Sequence, residues 1–364
     1  MRISNVESFV VDIPFREPFV VWRGSVDRKR HVLVRVATDG RHVGWGEAPP
    51  FLFYAPETAA GVHAMITEHM APQLVGRDPR DVRAILDAFE SIDGHHFAKA
   101  AVETALWDLL GQAANLPLGR LLGGPLRQSV PVVAVLHAGE PEQLAAEARR
   151  WVARGFGRLK LKIGFGPDAD EAMVAHVREA VGAGPTLRVD AEERYAVKEA
   201  LAVARRLAPY AVELISQPVA RTDWEGMVLL RHHLTQPLLA DEGIATPADV
   251  LHCVRLGAAD LVNVKVLKCG GLLRSLEAAA IAAAARRPLV VGSMIEAGVG
   301  TLLGAHFASL VPGPVTTELC GPLLFADDLL DPPVAVVAGE IRLGAAPGLG
   351  AAVSPQRLER YRVG

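Results

Sequence analysis

The chain has 364 residues, half of them apolar, and a net charge of −3. That is enough for one large domain or two ordinary ones with a sizeable core, and no run of five or six like charges marks a partner in nucleic acid or an anionic membrane. Three cysteines, Cys253, Cys269 and Cys320, are too few and too widely spaced for a disulfide framework or a CxxC metal site.

The N-terminal stretch "MRISNVESFVVDIPFREPF" carries acids and prolines where a signal peptide needs an unbroken apolar core. The longest apolar run, "AAAIAAAA" at 278–285, is too short to span a bilayer. A soluble, cytoplasmic protein is expected. In chain order, "VESFVVDIPF" and "RHVLVRVATDGRHVGWGEA" read as strands, with Asp39-Gly40 marking a turn. From Pro56 to Leu122 the pattern turns helical, and its last helix, around Ala101–Leu109, is brought to an end by Gly111 and Pro117. The first 125 residues therefore form an α+β unit. From about residue 129, short apolar runs alternate with seven helical segments. The strands expected are Val130–Leu136, Arg158–Ile163, Thr186–Asp190, Ala211–Ser216, Leu238–Asp241, Leu261–Lys265, Leu289–Gly292 and Val315–Glu318. Strand–helix alternation with buried strands means a parallel sheet. Eight units over about 190 residues fit an α/β barrel without an obvious eighth helix. No G-x-G-x-x-G follows an early strand, which weakens the open-sheet alternative. The last forty residues are expected to fold back onto the first unit.

Chemistry in such a barrel sits at the C-terminal strand ends. Strand two ends in "RLKLKIG", where Lys160 and Lys162 share a face and should depress each other's pKa. Asp190 ends strand three, Ser216 strand four, Asp241-Glu242 strand five and Lys265 strand six. Glu296 follows strand seven and Glu318 ends strand eight. Asp190 and Asp241 suggest a central cation site with a lysine on either side. That layout suits removal of a proton next to a carboxylate, with a metal taking up the charge of the enediolate.

"GWGEA" (44–48), "ALWDLLGQAANLPLGRLLGG" (105–124), "KLK" (160–162), "VDA" (189–191), "QPV" (217–219), "ADE" (240–242), "VKVLKCGGL" (264–272) and "TELCGPLL" (317–324) fall in one order and spacing over nearly the whole chain. In these the chain resembles the muconate lactonizing enzyme subgroup of the enolase superfamily. The resemblance implies a (β/α)7β modified TIM barrel over residues 126–325, under an α+β capping domain of residues 1–125 completed by about 326–364. It also implies Mg²⁺ or Mn²⁺, a small carboxylate substrate and a homo-oligomer. Carried over by position, Lys162 and Lys265 are the acid/base pair, Lys160 assists Lys162, Asp190 and Asp241 are metal ligands, and Glu296 is the family's acid after strand seven. Capping loops at Phe15–Gly24 and Phe51–Thr58 would close the pocket, where Trp22 and Arg23 could meet substrate. His137, after strand one, could line it.

The branch is narrowed by what is missing. No histidine stands in "VVGSMIE", as a mandelate racemase or a sugar-acid dehydratase would need. Glu318-Leu319-Cys320 lacks the Asp-x-Asp pair of dipeptide epimerases, and Cys320 reads as a small lining residue. Muconate-cycloisomerase-like chemistry is expected, with N-acyl amino acid racemase and o-succinylbenzoate synthase as alternatives. One departure stands out: Ser216 occupies the place of a metal-binding glutamate, and a hydroxyl is a poor ligand for a hard cation. Glu213 lies on the opposite face. Glu192, where the family usually has asparagine, shares a face with Asp190 on an extended chain and could supply the missing carboxylate. Alternatively Ser216 acts through a water, a substrate group completes the shell, or the protein is a catalytically impaired relative with a degraded metal site.

Overall fold

The computed structural model describes residues 1–137 and 139–363. Its N-terminal unit is built on a long antiparallel ribbon, Ile3–Val21 with Gly24–Thr38, to which Val43–Ala48 adds a third strand. The register slips between Pro14 and Phe19. Beyond the slip the pairing resumes, so what the sequence suggested as a loop from Phe15 to Gly24 is the tip of a hairpin turning at Trp22-Arg23.

The glycines of "GWGEA" are explained by what lies over them. The helix His96–Ala114 packs its backbone directly onto the strand Val43–Ala48. A β-carbon on Gly44 would stand 1.9 Å from the carbonyl oxygen of Ala105, and one on Gly46 1.8 Å from that of Ala101. From the same helix, buried Asp108 accepts the amides of Trp45 at 2.9 Å and Leu349 at 2.8 Å. One carboxylate thus ties strand, helix and C-terminal segment together.

Eight parallel strands form the second unit: Ala134–Leu136, Arg158–Lys162, Thr186–Asp190, Val212–Ser216, Leu238–Ala240, Leu261–Val264, Leu289–Val291 and Val315–Thr317. Each neighbours the next in sequence. A parallel bridge from Val132 to Thr317, with the Val133 amide on the Thr317 carbonyl at 3.0 Å, joins last to first. The barrel closes, with seven helices between its strands, as the alternation predicts. One strand differs from expectation. The run Val130–Leu136 splits, because Ser129–Pro131 pairs antiparallel with Glu340–Arg342 and only Ala134–Leu136 enters the barrel. Pro131 has no amide for a central ladder, so the segment up to it can serve only at an edge.

C-terminal to the barrel, Leu330–Asp331 pairs with Ala352–Val353. The helix Pro355–Tyr361 lies against the first strand of the ribbon, with a bridge between Val11 and Arg362.

Within the barrel, Leu214, Leu239, Leu261 and Val290 pack as an apolar cluster. Side chains two positions further on point the same way, one layer higher. Those positions are Ser216, Asp241, Asn263 and Gly292, so the alternation that fills the barrel with leucine also delivers polar groups to its mouth.

Replacing Gly46 by alanine is expected to force the cap helix off its strand, at a cost of about 1–3 kcal/mol. Denaturant unfolding should show the midpoint falling with little change in slope.

Candidate active site

Charged side chains from strands two, three, five, six and eight meet at the mouth of the barrel. Lys160 Nζ lies 2.8 Å from Glu318 Oε1, 3.0 Å from Asp190 Oδ2 and 3.9 Å from Asp241 Oδ2. Lys162 Nζ shares the same Asp190 oxygen at 2.8 Å and reaches Glu192 Oε1 at 2.5 Å. Across the barrel, Lys265 Nζ lies 2.6 Å from Asp241 Oδ1. Lys160, Asp190, Glu192, Asp241, Lys265 and Glu318 are all buried.

This packing reverses one expectation. Burial pushes the two strand-two lysines towards the neutral form, and each disfavours the other's charge. Asp190 with Glu318 for Lys160, and Asp190 with Glu192 for Lys162, outweigh both effects, and both lysines are held above the ordinary lysine value. Lys265 is held above it too, because Asp241 and Glu242 outweigh its burial. Glu242 carries the opposite imbalance: burial, then Asp241 and Asp190, push its carboxyl up to about 8.

Two residues that the motif reading passed over organise the strand ends. Asn263 donates to Asp241 Oδ2 at 2.9 Å and to Glu318 Oε2 at 3.2 Å. It sits two positions before Lys265 on the same strand face, a spacing that could have flagged it. Gln217, of "QPV", accepts the Asp241 amide at 2.9 Å and so sets the exit of strand five. Gly292 makes room for both neighbours, since a β-carbon there would stand 2.3 Å from Asn263 Oδ1 and 2.7 Å from Lys265 Cγ.

Non-glycine residues at three strand exits adopt left-handed backbone: Glu192 at φ +47°, Gln217 at +33° and Ile295 at +59°. Each such conformation costs about 1–3 kcal/mol and persists only where its surroundings enforce it. Glu192 is therefore not on an extended strand, and the alternation argument for it does not apply. The turn nonetheless brings its carboxylate to Lys162 beside Asp190. Its second oxygen, Oε2, is buried without a hydrogen-bond partner, as are Glu242 Oε2 and the hydroxyl of Ser216. Ser216 is the cross-strand neighbour of Asp190. Strand four carries an irregularity below it, and Glu213 pairs at 2.5 Å with Arg188, which donates onward to Thr316, so it takes no part at the mouth.

The lysines surround a cavity of about 50 Å³ walled by Asp190, Glu242 and Glu318, with Phe19, Tyr54, Val135, Met294 and Ile295 supplying apolar surface. Cys320 also lines it; burial pushes its thiol up to about 12, with Glu318 adding to the effect, so it is a neutral wall and not a nucleophile. Glu296, expected to be catalytic, is turned away. Its carboxylate accepts the Met294 amide at 2.8 Å and the Ser293 hydroxyl, which shapes the loop lining the cavity. Trp22 and Arg23 bind the Glu192 carbonyl at 3.2 and 3.3 Å rather than the cavity. His137 packs edge-on against Phe19 and borders a separate cavity of about 230 Å³ at the seam between cap and barrel.

Two cap residues dock the units. Glu47 accepts the amides of Ala297 and Gly300 at 2.7 and 2.8 Å, at the N-terminus of the helix Gly298–Leu310, where a carboxylate is favoured. Lys29 donates to the carbonyls of Pro49, Met294 and Ile295 at 3.1, 2.6 and 2.8 Å. A cap lysine thus holds the loop after strand seven.

Among the described residues, no three His, Cys, Asp or Glu side chains converge on one point at metal-holding distance; the acids here are turned to lysines. The donor set is nonetheless all oxygen, and the unpartnered oxygens of Glu192, Glu242 and Ser216 lie beside Asp190 and Asp241. That chemistry fits a hard divalent cation.

Comparison with known proteins agrees with this geometry. The mandelate racemase / muconate lactonizing enzyme N-terminal domain matches residues 5–123, and the enolase C-terminal domain-like family matches residues 143–357. The chain is 34% identical to muconate lactonizing enzyme from Pseudomonas fluorescens complexed with muconolactone. It superposes on that structure with a TM-score of 0.96, covering 100% of this chain and 99% of the other. It is 31% identical over 369 residues to N-succinyl-L-Arg/Lys racemase of Bacillus cereus, covering 100% and 98%. A dipeptide epimerase from Enterococcus faecalis, complexed with Mg and the dipeptide L-Leu-L-Tyr, is 32% identical with a TM-score of 0.93 over 97% and 100%.

The buried ammonium of Lys29 carries a pH signature. Burial lowers its pKa to about 7, against the pull of Glu296 and Glu47. Between pH 7 and about 10.4, the ordinary lysine value, the unfolded chain therefore holds a proton that the folded one has released, and stability rises with pH across that window. A Lys29→Met protein is expected to lack this component when unfolding free energies are compared at pH 7 and pH 9.5.

Proposed function

The chain belongs to the muconate lactonizing enzyme subgroup of the enolase superfamily, and we propose that it is a metal-dependent isomerase or cycloisomerase that takes the proton adjacent to the carboxylate of a small acid. The observation that carries this reading is the placement of Lys162 and Lys265 on opposite walls of one cavity, each with its ammonium paired to an acid. A substrate carbon held between them has one lysine at each face. One lysine takes the proton and the other can return it, which serves racemisation or epimerisation. A single lysine suffices for cycloisomerisation. Lys160, locked among three carboxylates, keeps its proton and holds Asp190 and Glu318 in place.

Asp190, Asp241 and Glu192 are the residues that would hold a cation, with Ser216 behind Asp190. In this reading the carboxylate absent at Ser216 has moved to Glu192. A divalent cation held by these acids would supply positive charge to stabilise an enediolate, and Lys162 and Lys265, freed from their carboxylates, would then give up protons more readily. The apolar part of the cavity wall supports a substrate with an apolar body. Glu318 is engaged by Lys160 and Asn263, which leaves it poorly placed to grip a substrate ammonium. These features favour a muconate-like acid or an N-acyl amino acid over a free dipeptide. The hydroxyl at Ser216 favours a second reading, a relative that has lost cation binding and catalysis.

Two measurements test this. Wash-in of deuterium from D₂O next to the carboxylate of such acids should occur in the native protein and fall by about 10²–10⁴ in Lys162→Met or Lys265→Met. Calorimetry should show Mn²⁺ binding that weakens in Glu192→Gln and is tighter at pH 8.5 than at pH 6, because binding displaces protons from the lysines. Absence of Mn²⁺ binding at either pH would leave the impaired relative as the reading.

A further inference from the structure

The catalytic cavity is too small for its work as it stands. About 50 Å³ holds a water or two, whereas sites for small organic ligands run to about 300 Å³ or more. Something in its wall must move to admit a substrate. Tyr54 is the wall it shares, with Glu242, with a second cavity of about 440 Å³ that lies between cap and barrel, bordered by Pro56, His95 and Arg221. Displacing the Tyr54 ring would join the two.

What holds Tyr54 is Glu192. The Tyr54 hydroxyl donates to Glu192 Oε1 at 2.5 Å, the same oxygen that pairs with Lys162. The ribbon tip closes on the other end of the same residue, with Trp22 Nε1 and Arg23 on its backbone carbonyl. Two cap segments far apart in sequence thus lock onto one barrel residue. Around it the backbone is over-determined: Glu192 donates its amide to Asp190 Oδ1 at 3.2 Å, and Glu193, also left-handed at φ +66°, donates its amide to the Gln217 carbonyl at 2.8 Å. Glu193 further binds Arg23 and Arg221 through its side chain. The Oε2 oxygen of Glu192 is left buried and unpartnered.

We propose that Tyr54 is a positioning residue that acts through Glu192, so that closing the lid and filling the cation site are one coupled event. This rests on the reading of Glu192 as a cation ligand. Tyr54 and the ribbon tip fix the glutamate with one oxygen spent and the other presented. When the lid opens for substrate, Glu192 loses both grips and its hold on a cation weakens. By reciprocity a cation on Glu192 favours the closed lid to the same degree.

The experiment pairs Mn²⁺ calorimetry with hydrogen exchange of residues 51–58 and 19–24, with and without Mn²⁺, in the native protein, Tyr54→Phe and Trp22→Phe. Thermal melts confirm folding of each variant, and the two variants attack the lock from different segments. In the native protein Mn²⁺ should slow exchange in both segments. Tyr54→Phe keeps the ring, yet should bind Mn²⁺ about tenfold more weakly, the loss expected of one hydrogen bond to a charged group, and should lose the Mn²⁺-dependent slowing at 51–58. Trp22→Phe should lose it at 19–24. A merely structural tyrosine would change exchange equally with and without the ion. If the native protein binds Mn²⁺ but its lid exchange is unchanged, or Tyr54→Phe binds as tightly as native, the coupling is overturned while Glu192 remains a ligand. If the native protein binds no Mn²⁺, the ligand reading falls and the coupling with it.

Discussion

Buried charge at the mouth of the barrel has to be balanced, and the rest of the site follows from that. Three lysines, Lys160, Lys162 and Lys265, face four acids, Asp190, Glu192, Asp241 and Glu318, in a space that excludes most water. An unpaired charge there would be strongly destabilising. Sharing solves the problem: Asp190 Oδ2 serves two lysines, Lys160 serves three acids, and Asn263 occupies the remaining oxygens of Asp241 and Glu318. Glu242 is pushed towards its neutral form, because burial and the charges of Asp241 and Asp190 outweigh the nearby Lys265. A cation entering the cluster would compete with the lysines for these carboxylates, which would link its binding to lysine protonation.

The barrel alone does not build this site. Glu47 aims the cap at the helix after strand seven, and Lys29 clasps the carbonyls of the loop between them. That loop carries Met294 and Ile295 into the cavity, and Glu296 braces it from behind. On the other side the ribbon tip and Tyr54 meet at Glu192. The apolar walls are therefore largely a property of the seam between the two units, while the lysines and acids belong to the barrel.

Ser216 and Glu192 both neighbour Asp190 in the structure. A carboxylate at Ser216 would stand beside Asp190 on the neighbouring strand. At Glu192 it stands beyond Asp190 on the same chain, in contact with the cap.

The order of barrel strands and the residues at their ends were legible in the sequence, because each follows from a local rule. Buried parallel strands need continuous apolar runs, and a residue and its second neighbour share a strand face. These rules place Lys160, Lys162, Asp190, Asp241 and Lys265 at one end of the barrel from the sequence alone. Asn263 lay within reach of the same rule. What no local rule could reach depended on contacts between distant segments. Glu296 turns from the cavity because Ser293 and the Met294 amide capture it, and the lysines keep their protons because acids from three other strands surround them. Glu192 arrives beside Lys162 through a left-handed turn held by Trp22 and Arg23, some 170 residues away. Period and propensity determine which side chains a strand offers. Which of them stay charged, and which way each finally points, was decided by the partners that only the closed barrel and its cap bring within reach.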